Sequence, residues 1–300
     1  MQSYTLTTTH YTVLHNIPRY MILIADCGST KTDWVLCEGD DIIARVRTQG
    51  LNPTHQDSEE IYEILSRELT DEFTAHTPEK IYFYGAGCAY ETANERMRQA
   101  LESIFTTKEI EINSDLLAAA RALCNREEGI ACILGTGSNS CLFDGEKITE
   151  NTPSLGYILG DEGSGAHLGR QLLSDCLKKQ LPKKVCDKFF EQYNLDVATI
   201  LEKTYHSSLP NRWLASFTPF LSENKNIPEI KMMLKHCFTQ FFQRNTMTYR
   251  RSWLPIHIIG NIGIHFSEEI KETAESLGLS IGNIVDSPMN GLIEYHKQNR

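Results

Sequence analysis

Four segments of the chain hold residue types suited to phosphate or to a hydroxyl nucleophile. The first is Asp26-Cys27-Gly28-Ser29-Thr30-Lys31-Thr32-Asp33. Glycine lets a backbone approach a phosphate closely, and the amides and hydroxyls of Ser29, Thr30 and Thr32 can donate to it. Asp26 can hold Mg²⁺ through a water. Gly28, Ser29, Thr30, Lys31 and Thr32 are therefore candidate phosphate contacts, although an ordinary hairpin turn would use the same residues. The second is Leu134-Gly135-Thr136-Gly137-Ser138-Asn139. A lone segment of this kind reads as a turn, but two of them form a two-sided clamp for a polyphosphate.

Asp115 lies between the two, after Asn113-Ser114 and ahead of an Ala-rich apolar stretch. It can cap a helix or complement its dipole. At the mouth of a phosphate site it can instead accept the proton of an attacking hydroxyl, an effect worth about 10²–10⁴ in rate. The fourth segment, Gly156-Tyr157-Ile158-Leu159-Gly160-Asp161-Glu162-Gly163-Ser164-Gly165, is dense in glycine. That is costly to order in a merely structural loop. Its carboxylates can bind sugar hydroxyls or cap the next helix; Asp161 is assigned to the sugar and Glu162 to the cap.

These segments need elements to hold them. MILIAD from Met21, TDWVLC from Thr32 and DIIARVR from Asp41 predict an antiparallel meander, with the first phosphate segment in its first turn. A helix follows capping candidates Asp57 and Ser58, with Ile61, Ile64, Leu65 and Phe73 on one face. Then come the strand Ile81 to Gly85, a helix carrying Ala93, Met97, Ala100, Leu101 and Ile104, the strand KEIEIN, and the helix after Asp115. Three further strands between Gly129 and Glu150 restart the pattern, a mostly helical stretch follows, and Ile256 to Ile259 and Ile281 to Asp286 are late strands. Two similar domains packed face to face would place a ligand cleft between them.

Composition narrows the field. At 300 residues, 41% hydrophobic and 23% charged, the chain suits two globular domains. A formal net charge of −10 without a basic stripe argues against nucleic acid as a partner. No apolar run approaches a membrane span or a signal-peptide core, so the expected location is cytoplasmic, away from the membrane. Nine cysteines without a CxxC pair read as small buried thiols. Residues 1–20 lack periodicity and read as a disordered extension or an upstream start choice. His167 reads as a surface or core histidine. Phe238, Phe241 and Phe242, with Ile230, Met233 and Met247, read as core at helical spacing, and Lys178, Lys179, Lys183 and Lys184 as a solvated run.

The succession DCGSTKTD, Asp115, LGTGSNS and LGYILGDEGSG resembles the N-acetylglucosamine kinase branch of the actin-like ATPase superfamily, grouped with the BadF/BadG/BcrA/BcrD ATPase-like proteins. The resemblance runs from Met21 essentially to the C-terminus. It implies an α/β fold of two ribonuclease H-like domains with a cleft between them, the first spanning 21–114 plus 288–300 and the second 115–287. It implies ATP and Mg²⁺, Asp115 as catalytic base, and phosphate loops at Asp26 to Thr30 and at Gly135 to Asn139. Asn52, Gly87, Asn139, Gly156 and Asp161 fall among the sugar contacts, and Gly260, Asn261 and Gly263 form the adenosine loop. Asn261 and Ile262 depart from the small residues usual there. The resemblance further implies a homodimer and a terminal helix, from Pro288, that returns to the first domain. The small-molecule partner is an amino sugar, N-acetylglucosamine or N-acetylmuramic acid, phosphorylated at its 6-hydroxyl. Two other activities share this pattern of loops: an ATPase activator of 2-hydroxyacyl-CoA dehydratase or benzoyl-CoA reductase type, and a sugar-responsive regulator without turnover.

Overall fold

The computed structural model describes residues 20–28, 30–107 and 109–297. Residues 1–19 of the expected extension and Ser29 of the first phosphate loop lie outside the described residues.

Two five-stranded sheets carry the fold. The first contains β1 (Met21–Cys27), β2 (Lys31–Glu38), β3 (Asp41–Gln49), β4 (Lys80–Gly85) and β5 (Glu109–Ser114), in the order β3-β2-β1-β4-β5. The second contains β6 (Gly129–Leu134), β7 (Ser138–Phe143), β8 (Ile148–Thr152), β9 (Ile256–Ile259) and β10 (Ile281–Val285), in the order β10-β9-β6-β7-β8. Each begins as an antiparallel meander and continues with parallel strands. The chain thus builds one topology twice, the ribonuclease H-like arrangement that the repeating pattern predicts.

Both faces of the first sheet are covered, which is why its central strand is nearly continuous in apolar residues. Leu23 and Ala25 face the helices Ser58–Glu68 and Glu91–Ile104, while Ile22 and Ile24 face Leu292 and Ile293 of the terminal helix Met289–Lys297. Asp57 and Glu60 form a capping box that starts the Ser58 helix. Phe73 was expected on that helix. It sits instead in a separate turn, Asp71–Thr74, because Thr70 accepts a bond from the Phe73 amide and restarts the helical backbone; the ring still reaches the same core.

The helix Asp115–Cys124 joins the lobes. Ala118 packs into the first lobe, whereas Leu116, Ala119, Ala120 and Leu123 pack against Ala131, Phe143 and Ile259 of the second. The terminal helix crosses it at Gly291, where an added Cβ would lie 2.3 Å from the Ala122 carbonyl oxygen. A glycine is required for that approach. The second lobe carries the helices inserted between β8 and β9, and its core includes Ile230, Met233, Phe238, Phe241 and Phe242, as their spacing predicts. Met247 does not join them: it falls in the short 3₁₀ turn Thr246–Tyr249, out of phase with the preceding helix, and is exposed. All nine cysteines are buried free thiols. Among the described residues no helix is long and apolar enough to cross a membrane.

Candidate active site

A cavity of about 180 Å³ opens between the lobes. Asp26, Gly28, Lys31, Asp33 and Asp115 line it from one side, and Ile133, Ile259 and Asp286 from the other. Strand pairing explains the cluster: Asp26 on β1 lies directly opposite Asp33 on β2. Burial, then the charges of Asp33 and Asp115, push Asp26 up to about 7. Asp33 accepts from Arg47 at 2.6 Å and pairs with Lys31 at 3.0 Å. Burial raises its pKa, but these two cations outweigh it, and the carboxyl stays below the usual range.

Asp115 is the first residue of its helix. The cap is supplied by Ser114, whose hydroxyl accepts from the Leu117 amide at 3.2 Å. One oxygen of Asp115 accepts from the Leu116 amide at 2.9 Å, which orients the carboxyl, and burial raises its pKa. Capping is therefore not its task.

In the first hairpin the Gly28 amide donates to the Lys31 carbonyl at 2.9 Å and closes the turn. Thr30 and Lys31 are exposed beside the cavity. Thr32 corrects an expectation. It is fully buried, and its hydroxyl donates to Cys27 Sγ at 3.0 Å and to the Gln49 carbonyl at 3.1 Å, because strand alternation turns it away from the Lys31 and Asp33 face. Cys27 also bonds the backbone of Leu51 in both directions, donating at 3.3 Å and accepting at 3.2 Å. The hairpin is thereby tied to the turn that presents Asn52. Burial pushes this thiol up to about 11, so it remains protonated at neutral pH.

The second hairpin is gripped from behind. The Gly165 and Ala166 amides donate to the carbonyls of Gly135 and Thr136 at 2.8 and 3.0 Å, turning those carbonyls toward the helix Gly165–Leu177. The amides of Thr136 and Gly137 meet no acceptor among the described residues, and a Cβ at Gly135 would meet nothing within 4 Å. Free amides beside open space suit a phosphate. Ser138 is spent on anchoring: its amide donates to Asp161 Oδ1 at 3.1 Å and its hydroxyl to the Glu162 carbonyl at 2.8 Å.

Asp161, expected on the sugar, therefore stands behind this hairpin in a left-handed backbone conformation, with burial raising its pKa. Asn139, also expected on the sugar, spends its carbonyl oxygen on the Ser140 amide and on Asn151, because it lies within the β7–β8 pair. Glu162 does not cap the helix. Ser164 does, and Glu162 pairs with Arg244 and Asn245. His167 is buried, accepts from the Gly163 amide at 3.0 Å, and is pushed down to about 4 by burial, so it is a core histidine.

Asn52 and Gly87, far apart in sequence, meet. A Cβ on Gly87 would lie 2.5 Å from Asn52 Oδ1, and Gly87 has φ of +88°. That oxygen accepts from the Thr54 amide at 3.0 Å. The Asn52 backbone amide donates to Gln56 Oε1 at 2.7 Å, whereas its side-chain Nδ2 has no partner among the described residues and is able to donate. Gly156 is exposed at φ +73° in a turn whose Tyr157 carbonyl is held by Arg170 at 2.8 Å. Gly260 packs on the second hairpin, where a Cβ would lie 2.4 Å from the Leu134 carbonyl oxygen, and exposed Asn261 follows it. Gly263, expected at adenosine, instead packs inward against Ile258, with 2.7 Å left for a Cβ.

Asp33 and Asp286 belong to the cavity but carry no assignment from the sequence. The available signal was position: Asp286 directly follows the last strand, and ligands in such sheets collect at the carboxyl ends of strands.

No protein-family model matches the chain, and no curated protein does. Among solved structures, a candidate N-acetylglucosamine kinase from Porphyromonas gingivalis is 44% identical over 93% of this chain and 99% of its own, with a TM-score of 0.88. A second candidate N-acetylglucosamine kinase, from Chromobacterium violaceum, is 14% identical over 93% and 99% of the two chains, with a TM-score of 0.73. MreB 5 of Spiroplasma citri, solved with AMPPNP, shares the fold at 10% identity, 93% and 95% coverage and a TM-score of 0.53. The duplicated topology, the paired hairpins and the first of these similarities place the chain: it belongs to the N-acetylglucosamine kinase-like branch of the BadF/BadG/BcrA/BcrD ATPases, within the actin-like ATPase superfamily.

Proposed function

We propose that the protein is an ATP-dependent kinase that phosphorylates an N-acetylated amino sugar, such as N-acetylglucosamine, at its 6-hydroxyl. The carrying observation is Asp115, a half-buried, oriented carboxylate relieved of capping by Ser114 and placed in the inter-lobe cavity beside Asp26 and Lys31. The similarity to the Porphyromonas gingivalis protein supports the sugar class.

The residues suit a metal–nucleotide. Thr136 and Gly137 offer free amides to phosphate oxygens, Lys31 adds positive charge, and Asp26 accepts from metal-bound water. When bound, Mg·ATP supplies the phosphoryl group and the charge that offsets its oxygens. Asn52 and the backbone near Gly87 hold the sugar so that its 6-hydroxyl reaches Asp115, which takes the hydroxyl proton as the oxygen attacks. Closure of the lobes keeps water from competing as acceptor.

An activator ATPase would need cysteines able to reach a shared iron–sulfur cluster, and all nine here are buried. Incubation with Mg·ATP and a panel of glucose, glucosamine, N-acetylglucosamine and N-acetylmannosamine, with product mass and phosphorylation site read by NMR, tests the reading. A 6-phosphate formed from the acetamido sugars alone supports it; a phosphate at another position, or equal turnover of glucose, overturns it.

A further inference from the structure

We propose that Arg121 is a positioning residue for the phosphoryl transfer: it braces the turn from β5 into the Asp115 helix and so fixes where the Asp115 carboxyl points. This rests on the kinase reading and adds to it a residue outside the cleft.

The brace follows from the order of the chain. Glu111 on β5 precedes Asp115, and Arg121 follows it on the helix Asp115–Cys124. Arg121 Nη1 donates to Glu111 Oε1 at 2.8 Å, so the ion pair closes a loop with Asp115 at its bend. The same Nη1 donates to the Tyr84 hydroxyl at 2.7 Å, which ties the loop to the neighbouring strand β4. Asn113, just before Ser114, donates to the same Glu111 oxygen at 3.0 Å. Burial raises the Glu111 pKa, but the bonds from Arg121 and Asn113 outweigh it and keep the carboxyl below the usual range, so the pair is ionised at neutral pH. Turning the helix about its axis, or changing its angle to β5, would break these bonds.

The terminal helix closes the far side. The Tyr84 hydroxyl accepts from Arg121, which leaves its own proton for His296 Nε2 at 2.8 Å. His296 is pushed down to about 3, chiefly by burial, so it is neutral and carries its proton on Nδ1. That Nδ1 and Arg121 Nε are both buried without a partner among the described residues. A network with two orphaned donors is a poor source of stability, and apolar replacements for a buried ion pair are often as stable. What the charged network supplies is one orientation of the Asp115 helix. Arg121 does not line the cavity that Asp115, Asp26 and Lys31 share, so its effect reaches the chemistry only through Asp115.

The test measures kcat, and KM for Mg·ATP and N-acetylglucosamine, in the wild type, Arg121→Lys and Glu111→Gln/Arg121→Met, each with and without Asp115→Asn, together with Tm. Glu111→Gln/Arg121→Met removes both charges at once, so its Tm should stay near that of the wild type. Its kcat should fall about ten- to a hundredfold with both KM values within about twofold, and Arg121→Lys should retain part of the lost rate. Added to Asp115→Asn, the same substitutions should lower kcat by no more than about twofold, because the group they position is already gone. Losses that multiply in full in the Asp115→Asn background would overturn the inference, as would an unchanged kcat without the ion pair. A fall in kcat accompanied by matching changes in Tm and KM would make Arg121 a structural residue only, and overturn it too. Should Glu111→Gln/Arg121→Met not fold, Arg121→Lys carries the same comparison. Turnover of no sugar by the wild type overturns the kinase reading itself, and this inference with it.

Discussion

Asp115 and Asp26 share one cavity, yet their surroundings give them different work. Asp115→Asn keeps the size and the Leu116 contact but removes the base, so turnover should fall by about 10²–10⁴ while nucleotide binding, followed with a fluorescent ATP analogue, stays unchanged. Asp26 is raised to about 7 from an ordinary value of 3.8, so its ionised form is disfavoured in the folded protein. The resulting penalty is absent below about 3.8, builds as pH rises, and is complete above about 7. Asp26→Asn should therefore raise the Tm of the ligand-free protein at pH 8 and progressively less toward pH 4, while weakening Mg·ATP binding. A constant gain across that range would contradict the assignment. That both aspartates come to one cavity was legible in the sequence, because the two hairpin motifs bracket Asp115 and the first contains Asp26. Thr32 was misread because motif membership says nothing of facing: on β2, Lys31 and Asp33 face the cleft, and Thr32 turns the other way. Nor does the motif show that the side-chain oxygen of Asn139 accepts from Ser140 and from Asn151 on the next strand.

Between strands and helices, glycines with similar sequence signals do different jobs. At Gly135 a methyl group meets open space, so Gly135→Ala should leave Tm nearly unchanged and raise the KM for ATP. Gly260 has φ of +120° and only 2.4 Å to the Leu134 carbonyl oxygen, so Gly260→Ala should cost roughly 2 kcal/mol or more in a denaturant titration. Strand and helix periodicity predicted every strand of both sheets and the helices around Asp115. Caps were harder. Glu162 was assigned to the helix that Ser164 caps, because the partner that draws Glu162 away, Arg244, is distant in sequence. The break before Phe73 depends on one hydroxyl of Thr70, which apolar spacing does not register.

For the molecule as a whole, the repeated order of turns and strands made the duplicated fold readable, since each copy puts a glycine hairpin between its first two strands. What linear order does not reveal is how the copies face each other. Asp286 joins Asp26 only once both lobes are assembled, and even within the first lobe the meeting of Asn52 with Gly87 depends on tertiary packing that sequence order does not show. Gly291→Val should cost roughly 2–4 kcal/mol in a denaturant titration by forcing the terminal helix and the Asp115 helix apart.

The most direct measurement of the central claim is ADP release from Mg·ATP with and without N-acetylglucosamine, in the wild type and in Asp115→Asn. Release that depends on the sugar in the wild type and falls by two orders of magnitude or more in Asp115→Asn is the predicted result. ADP release at the same rate whether or not sugar is present, or unaffected by the loss of Asp115, would contradict it.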